Sequence, residues 1–402
     1  MLAVKALADV QMLVKDYFGE IRTAPEMISF ENAADRILAE DIIARECVPA
    51  FPRATVDGYA VKCSDIFGCS DAIPAMLKLV GEAIMGKHTD RNLDSGQCVS
   101  VPTGGEVPEG ADAVVMLEDV EDFGDGTIGI RKPVAPGSNL IFPGDDGKAG
   151  ELVYRKGKKL SAKDIGTLAA MGIIAVPVMK LPRIVIISSG DELVDARAVL
   201  PLGKIRDVNG PMLKMAVGEC GGEAAFSGIV IDDQHALRDA VLQTINECEI
   251  LVLTGGTSAG TKDAIPEVIS ALGELLVHGV AIKPGKPTIV GKIDHVPVFG
   301  LPGNPVAAYL MFLLLVKPLV LSMLGAVGIE TARTMPLART VSSNQGREDL
   351  IPVSIKNGLA DPIIGKSGLI TTLANADGYF RIARDQEGLK AGEPVKVFLF
   401  EE

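Results

Sequence analysis

The sequence predicts a multi-domain α/β and β protein. A doubly wound α/β domain follows a helical N-terminal domain with an inserted small β domain, and a C-terminal β-barrel domain ends the chain. Three observations predict this. From Arg183 to Leu324, strand-length apolar runs alternate with stretches of helical spacing, the pattern of a doubly wound sheet. From Met76 to Val153, and again from Thr331 to Glu402, short runs are split by Gly, Pro and Asp at close intervals, as in small all-β units. Helical spacing occurs on both sides of the first β stretch, so that unit reads as an insertion. The expected limits are 1–45 plus 148–181 for the helical domain, 46–147 for the insertion, 182–326 for the α/β domain and 327–402 for the barrel.

Taken in order, Val4, Leu7, Ala8, Leu13, Val14 and Phe18 form one stripe of an amphipathic helix. A strand is expected at Glu26–Phe30, then a helical patch ending at Ile37–Ile42. Three prolines and Asp57-Gly58 make Val48–Val61 a turn-rich loop. Pro102-Thr103-Gly104-Gly105 is a tight glycine turn, and Asp145 and Asp146 sit between glycines in the loop Ile141–Glu151. In the α/β part, Arg183–Leu193 reads as strand, turn and helix start. A helix follows at Pro211–Cys220, a strand at Phe226–Ile231, and a helix at His235–Glu247 opened by Asp232-Asp233. Further strands are expected near Gly279–Ile282, at Thr288–Gly291 and at Val296–Gly300.

Composition sets outer bounds. A chain of 402 residues suggests roughly two to four domains. With 39 basic against 52 acidic side chains the net charge is −13, which argues against nucleic-acid or anionic-membrane partners. An anionic substrate then needs a local basic patch. The six cysteines form no C-x-x-C pair and are expected as reduced thiols in the cytoplasm. The four histidines are far apart and read as structural. Asp9 interrupts the N-terminal apolar residues, so no signal peptide is expected. The most apolar run, Val306–Leu324, has 11 apolar or aromatic residues before Lys317-Pro318. A membrane span needs about 20, so a buried helix that ends or kinks at Pro318 is expected.

Glu249–Ile265 carries the strongest chemical signal. A buried strand, Ile250–Leu253, runs into Gly255-Gly256, passes Ser258 and Gly260, and restarts as a helix at Ala264. Such a junction aims backbone N–H groups and a helix dipole at one point, which favours a phosphate. It lacks the P-loop order, because Thr261 precedes Lys262. Asp263 has two open readings: a carboxylate sharing a metal ion with the phosphate, or the cap of the next helix. Glu192, Asp232, the Gly255 loop, Lys283-Pro284-Gly285-Lys286-Pro287 and Gly300–Pro305 all fall at or just after strand ends, where α/β sheets bind ligands. Lys283 and Lys286, spaced by Pro284-Gly285, make a compact anion receptor. Gly303 and Asn304, between Pro302 and Pro305, give close access to a planar ligand. No Ser-His-Asp or Cys-His arrangement is evident.

Seven segments occur in order: ATVDGYA, PTGGEVPEGADAVV, GDDGKAGE, SSGDEL, TGGTSAGTKD, AIKPGKP and GLPGNPV. Together they resemble the MoeA family, the molybdopterin molybdenumtransferases, whose eukaryotic counterparts are the E domains of gephyrin and of the plant Cnx proteins. The resemblance runs from about Val4 to Phe400, and the α/β domain alone is also similar to MogA adenylyltransferases. It implies insertion of molybdate into adenylylated molybdopterin, with hydrolysis of the phosphoanhydride to give molybdenum cofactor and AMP, and a divalent cation, usually Mg²⁺. Elongated homodimers are implied, with the site between the α/β unit of one chain and the N-terminal and β units of the other. A MogA-type adenylyltransferase is a further possible partner. By resemblance the catalytic set is Asp57, Thr103, Asp146, Glu192, Asp232, Asp263, Lys283 and Lys286, with Glu192 and Asp263 on the metal side and the lysines on the molybdate side. Ser189, Gly190, Gly255, Gly256, Ser258, Gly260, Pro302, Gly303, Asn304, Pro305, Arg347 and Ser367 would bind the cofactor. One departure stands out. The family arginine six residues after the glycine of a GR motif is here Pro352, so either Arg347 replaces it or the oxyanion is tungstate. Adenylyl transfer from ATP and a non-catalytic scaffold are the other readings.

Overall fold

The computed structural model describes residues 4–255, 264–326, 331–365 and 368–400. In the α/β part the elements are β1 (Arg183–Ser189), α1 (Asn209–Glu219), β2 (Glu223–Val230), α2 (Gln234–Thr244), β3 (Ile250–Thr254), α3 (Ala264–Leu272), β4 (Glu274–His278), β5 (Ile289–Ile293), β6 (Val296–Leu301) and α4 (Pro305–Met311). Alternate side chains of the apolar strands pack on opposite faces. Ile184, Ile186, Ile250, Val252 and Phe299 face one core, and Val185, Ile187, Leu251, Leu253 and Val298 face another. The sheet order is β2-β1-β3-β6-β5-β4. The first four strands are parallel, and β5 and β4 are antiparallel at one edge. The Asp294-His295 turn joining β5 to β6, with Asp294 at φ +52°, makes a hairpin and forces that reversal. The chain leaves β1 for β2 on one side, then returns past β1 to β3 on the other. That is a topological switch point, and it opens a crevice beyond Ser189 and Thr254.

Several local expectations need correction. No helix starts after β1: Leu193–Val194 is a short strand parallel to Ile205–Arg206. The Ile205 and Asp207 amides donate to the Glu192 and Val194 carbonyls at 2.8 and 2.9 Å, taking acceptors a helix would have used. Ile37–Ile42 is not helical either, because the Leu38 and Ala39 amides donate across to the Lys158 and Pro177 carbonyls at 3.0 Å each. The strand expected near Gly279–Ile282 is split between β4, which joins the central sheet, and Ile282–Lys283, which pairs elsewhere. The Val48–Val61 loop contains a wholly buried strand, Gly58–Val61. Gly58 is needed there because a Cβ would lie 2.0 Å from the Val115 carbonyl oxygen.

The apolar helix does not end at Pro318. It continues from Pro305 to Met323 through a π-helical turn at Phe312–Val316. Pro318 has no N–H to offer the Leu314 carbonyl one turn back. Gln11 Nε2 donates to that oxygen instead, at 3.0 Å. The 19-residue helix holds an 18-residue window of mean hydropathy 2.1, 67% of which is buried inside the fold. Against it packs the helix Leu7–Phe18, through Leu7, Val10, Val14 and Phe18. The first helix thus shares the α/β core, not the core formed by Leu38, Leu160, Leu168, Val176 and Val178.

The insertion is a six-stranded sheet whose outer residues return to the helical unit, where Pro25–Ser29 pairs antiparallel with Ala175–Met179. In the C-terminal region Glu348–Lys356 pairs with Leu359–Pro362 and Gly378–Ile382, and Pro394–Leu399 joins the latter to Ala332–Pro336. A bridge between Leu337 and Ala360 closes the barrel around Val353, Phe380 and Val397. Ile282–Lys283 adds to this barrel in parallel with Glu348-Asp349, stitching the α/β unit to it.

In the helical unit, Asp164 closes a capping box with Ser161 and pairs with Lys158 at 3.2 Å. Burial pushes its carboxyl up, but the Ser161 hydroxyl and amide and the Lys158 ammonium outweigh it, bringing the pKa down to about 2. A depressed folded pKa gives stability that is present above the unfolded value and lost as pH falls through the folded one. Asp164→Asn is therefore expected to cost roughly 2 kcal/mol at neutral pH. In urea unfolding followed against pH, the gap should shrink between about pH 4 and pH 2; a gap independent of pH contradicts this.

Candidate active site

The crevice at the switch point is a cavity of about 630 Å³. Its walls come from the end of β1 (Ser188, Ser189), the following turn (Glu192, Leu193), the approach to α1 (Arg206 to Asn209), the end of β3 (Thr254, Gly255), Pro287, the turn Pro302–Pro305 and Gly368 of the C-terminal unit. Three chain segments close on one another here. Gly255 has φ +98°, and a Cβ would stand 1.9 Å from the Ser189 carbonyl oxygen, so only glycine lets β3 end against β1. The Gly255 amide donates to the Leu301 carbonyl at 3.3 Å.

Asn209 locks the third segment in place. Its Nδ2 donates to Thr254 Oγ1 at 2.8 Å, to the Gly303 carbonyl at 2.9 Å and, more weakly, to the Pro302 carbonyl at 3.4 Å. The side chain is buried, and among the described residues its Oδ1 has no hydrogen-bond partner; neither has the buried Ser189 Oγ. Asp207 orders the start of α1, accepting from the Gly210 amide at 3.1 Å and from Ser188 Oγ at 2.8 Å. Gly190 leaves room for Glu192, because a Cβ there would meet its carboxylate oxygens at 2.9 and 3.0 Å. Oxygen donors of this kind suit a hard cation that keeps most of its shell on phosphate and water. Among the described residues no cluster of three His, Cys, Asp or Glu side chains forms a complete metal cage.

Of the residues picked out in sequence, Ser189, Glu192, Gly255, Pro302, Gly303, Asn304 and Pro305 line this cavity. Gly303 is not dictated by a clash, since a Cβ would meet only Gly255 Cα, at 3.6 Å. Asp232 lies on the adjacent turn rather than in the wall, its amide held by Asp191 Oδ1 at 3.0 Å. Lys283 and Lys286 are exposed on the turn that contributes Pro287. That turn is braced by Thr288 Oγ1, which donates to the Gly285 carbonyl at 2.6 Å. Gly256, Ser258, Gly260, Asp263 and Ser367 lie outside the described residues.

Asp57 and Thr103 meet, but not at this cavity. Both the Thr103 amide and its hydroxyl donate to Asp57 Oδ1, at 2.7 and 3.1 Å, within the inserted β unit. Asp146 sits on the turn below it, its amide donating to the Val48 carbonyl at 3.0 Å. None of the three lines the crevice of its own chain.

Arg347 and Lys283 converge on a residue that sequence reading passed over. The buried Asp349 carboxylate lies 3.8 Å from Lys283 Nζ through Oδ2 and 3.8 Å from Arg347 Nε through Oδ1. Pro352 pairs with Tyr379 in the same strand and is buried. Asp207 and Asn209 were also missed as site residues. The Asp-x-Asn-Gly spelling before an apolar helix was the available signal, but it reads as a turn until β3 is known to end beside it.

Three family models match in series: "MoeA N-terminal region (domain I and II)" over residues 4–172, "Probable molybdopterin binding domain" over 185–322 and "MoeA C-terminal region (domain IV)" over 334–400. A molybdopterin molybdenumtransferase of Staphylococcus aureus (strain COL) is 32% identical, covering 93% of this chain and 91% of its own. That of Bacillus subtilis (strain 168) is 31% identical, covering 94% and 90%. The crystal structure of the molybdopterin biosynthesis MoeA protein from Pyrococcus horikoshii OT3 superposes with a TM-score of 0.87 at 34% identity, over 99% of this chain and all of the other.

The Asn209 tie makes a direct prediction. Asn209→Ala should lower the unfolding free energy of the α/β unit by about 1–3 kcal/mol, as expected for buried acceptors left unpaired. It should also speed amide hydrogen exchange at Gly303 and Asn304; unchanged exchange there would mean the turn is held by other contacts.

Proposed function

The chain belongs to the MoeA family, and on that premise we propose that it inserts molybdate into adenylylated molybdopterin, hydrolysing the adenylate and releasing molybdenum cofactor and AMP. Its broader role, in molybdenum cofactor biosynthesis, follows from its molybdenumtransferase relatives. The observation that carries the finer reading is the pairing of two features linked by the turn Lys283–Pro287. One is a cavity floored by glycine and lined by buried polar atoms that have no partner among the described residues. The other is a cationic corner formed by Lys283 and Arg347.

In this reading the phosphates sit against the Ser189–Glu192 turn and Gly255. Ser189 Oγ supplies a hydrogen bond, and the glycine at 255 lets backbone approach the ligand. Asn209 keeps the Pro302–Pro305 turn in place as a rigid wall for the planar pterin. Mg²⁺, held on the protein side by Glu192 together with Asp263, would offset phosphate charge. Lys283, Lys286 and Arg347 draw in the oxyanion against the net charge of −13. Asp57, Thr103 and Asp146 act across a homodimer interface, on the partner's cavity, which accounts for their distance from the cavity of their own chain.

Two measurements test this. Purified protein mixed with adenylyl-molybdopterin, Mg²⁺ and molybdate should release AMP and retain molybdenum in the product, with tungstate as a parallel arm. Formation of the adenylate from molybdopterin and ATP would favour the adenylyltransferase reading instead. Asp57→Asn and Glu192→Gln should each be inactive alone. Because one hybrid site in two would carry both native residues, mixed and re-equilibrated subunits should recover about a quarter of wild-type activity. No recovery, with hybrids demonstrated, would place each site within one chain.

A further inference from the structure

We infer that Asp349 is a positioning residue that fixes Lys283 and Arg347 as a paired oxyanion seat across the junction of the α/β and barrel units. The inference rests on the proposed oxyanion reaction and deepens it. Backbone pairing sets up the geometry. Lys283 and Asp349 are register partners in the parallel pair that joins the units. Arg347 sits in the bend just before the strand that carries Asp349, and its Nε comes within 3.8 Å of Asp349 Oδ1. Glu348, on the opposite face, sits 3.8 Å from Arg381 Nε, and Arg381 in turn stacks over Phe398 with 4.7 Å to the ring centroid. Arg381 is thereby committed elsewhere, leaving Lys283 and Arg347 as the cations that Asp349 gathers.

The state of the carboxylate indicates its job. Its side chain is 2% exposed, while those of Lys283 and Arg347 are 54% and 38% exposed. Ser343 Oγ donates to Oδ2 at 3.1 Å and fixes the carboxylate rotamer, and among the described residues Oδ1 accepts no hydrogen bond. Both cations stand at 3.8 Å, too far for a hydrogen bond, so their N–H groups remain available to another acceptor. Two positive charges against one negative leave the corner with a surplus of one. Without the carboxylate the cations repel each other and splay into water, and an anion must order two long side chains at once. With it, that ordering is done beforehand. The carboxylate sits behind the cations, so its repulsion of an anion in front of them is the smaller effect at physiological salt.

The test is equilibrium binding of molybdate, with tungstate and sulfate as further probes, to the full-length protein at two ionic strengths. Adenylyl-molybdopterin kinetics are followed in parallel. Asp349→Asn is expected to weaken molybdate binding about tenfold at both ionic strengths, as for loss of a charged positioning contact, with the KM for adenylyl-molybdopterin unchanged. In an Arg347→Met background the same substitution should have little further effect. Ser343→Ala, which leaves the charge in place, should weaken binding about two- to threefold, and it stands in if Asp349→Asn does not fold. Unchanged or tighter molybdate binding in these variants, or equal losses for oxyanion and nucleotide, overturns the positioning role while leaving the proposed reaction intact. Failure of the wild-type protein to bind molybdate or to release AMP overturns both.

Discussion

The hydrogen bonds from the Asn209 carboxamide to Thr254 and Gly303 join three segments that are far apart in sequence: the start of α1, the end of β3 and the turn after β6. Parallel strands alone would leave a crevice at the switch point, but its far wall would be a loose proline-rich turn. By donating both to the end of β3 and to that turn, Asn209 turns a topological consequence into a cavity of defined shape. The steric limit at Gly255, one atom wide against the Ser189 carbonyl, fixes the near wall in the same way.

The cavity and the cationic corner are built by different parts of the chain, and the turn Lys283–Pro287 contributes to both. Ile282–Lys283 leaves the α/β unit to join the barrel, and the turn that follows contributes to the cavity wall through Pro287. An acidic protein can present a basic corner in this way because the charges come from separate units and are brought together only on folding. The arrangement also gives a physical role to the barrel in a family whose ligand-binding unit is the α/β sheet.

Much of this was legible in the sequence. Continuous apolar runs such as Ile250–Leu253 announced strands buried on both faces, and the residues placed at strand ends, Ser189, Glu192, Gly255 and Asn304, do line one cavity. What was not legible depended on long-range partners. Ile37–Ile42 has helical spacing, yet the sequence-distant Lys158 and Pro177 carbonyls claim the Leu38 and Ala39 amides. Pro318 reads as a helix breaker, yet Gln11, some three hundred residues away, caps the carbonyl it leaves bare. Asp349 looks like one more acid in a strand until pairing sets it beside Lys283. Asp57 and Thr103 could be grouped by resemblance with Glu192, but one chain alone keeps them in the inserted unit.

The central claim is spatial: one ligand spans the glycine-floored cavity and the Lys283–Arg347 corner. The most direct measurement is a crystal structure of the protein soaked with AMP and molybdate, with data collected at the molybdenum absorption edge. The account predicts nucleotide phosphate against Ser189 and Gly255 and an anomalous peak between Lys283 and Arg347, within one continuous site. Molybdenum bound elsewhere, or phosphate outside the cavity, would contradict it.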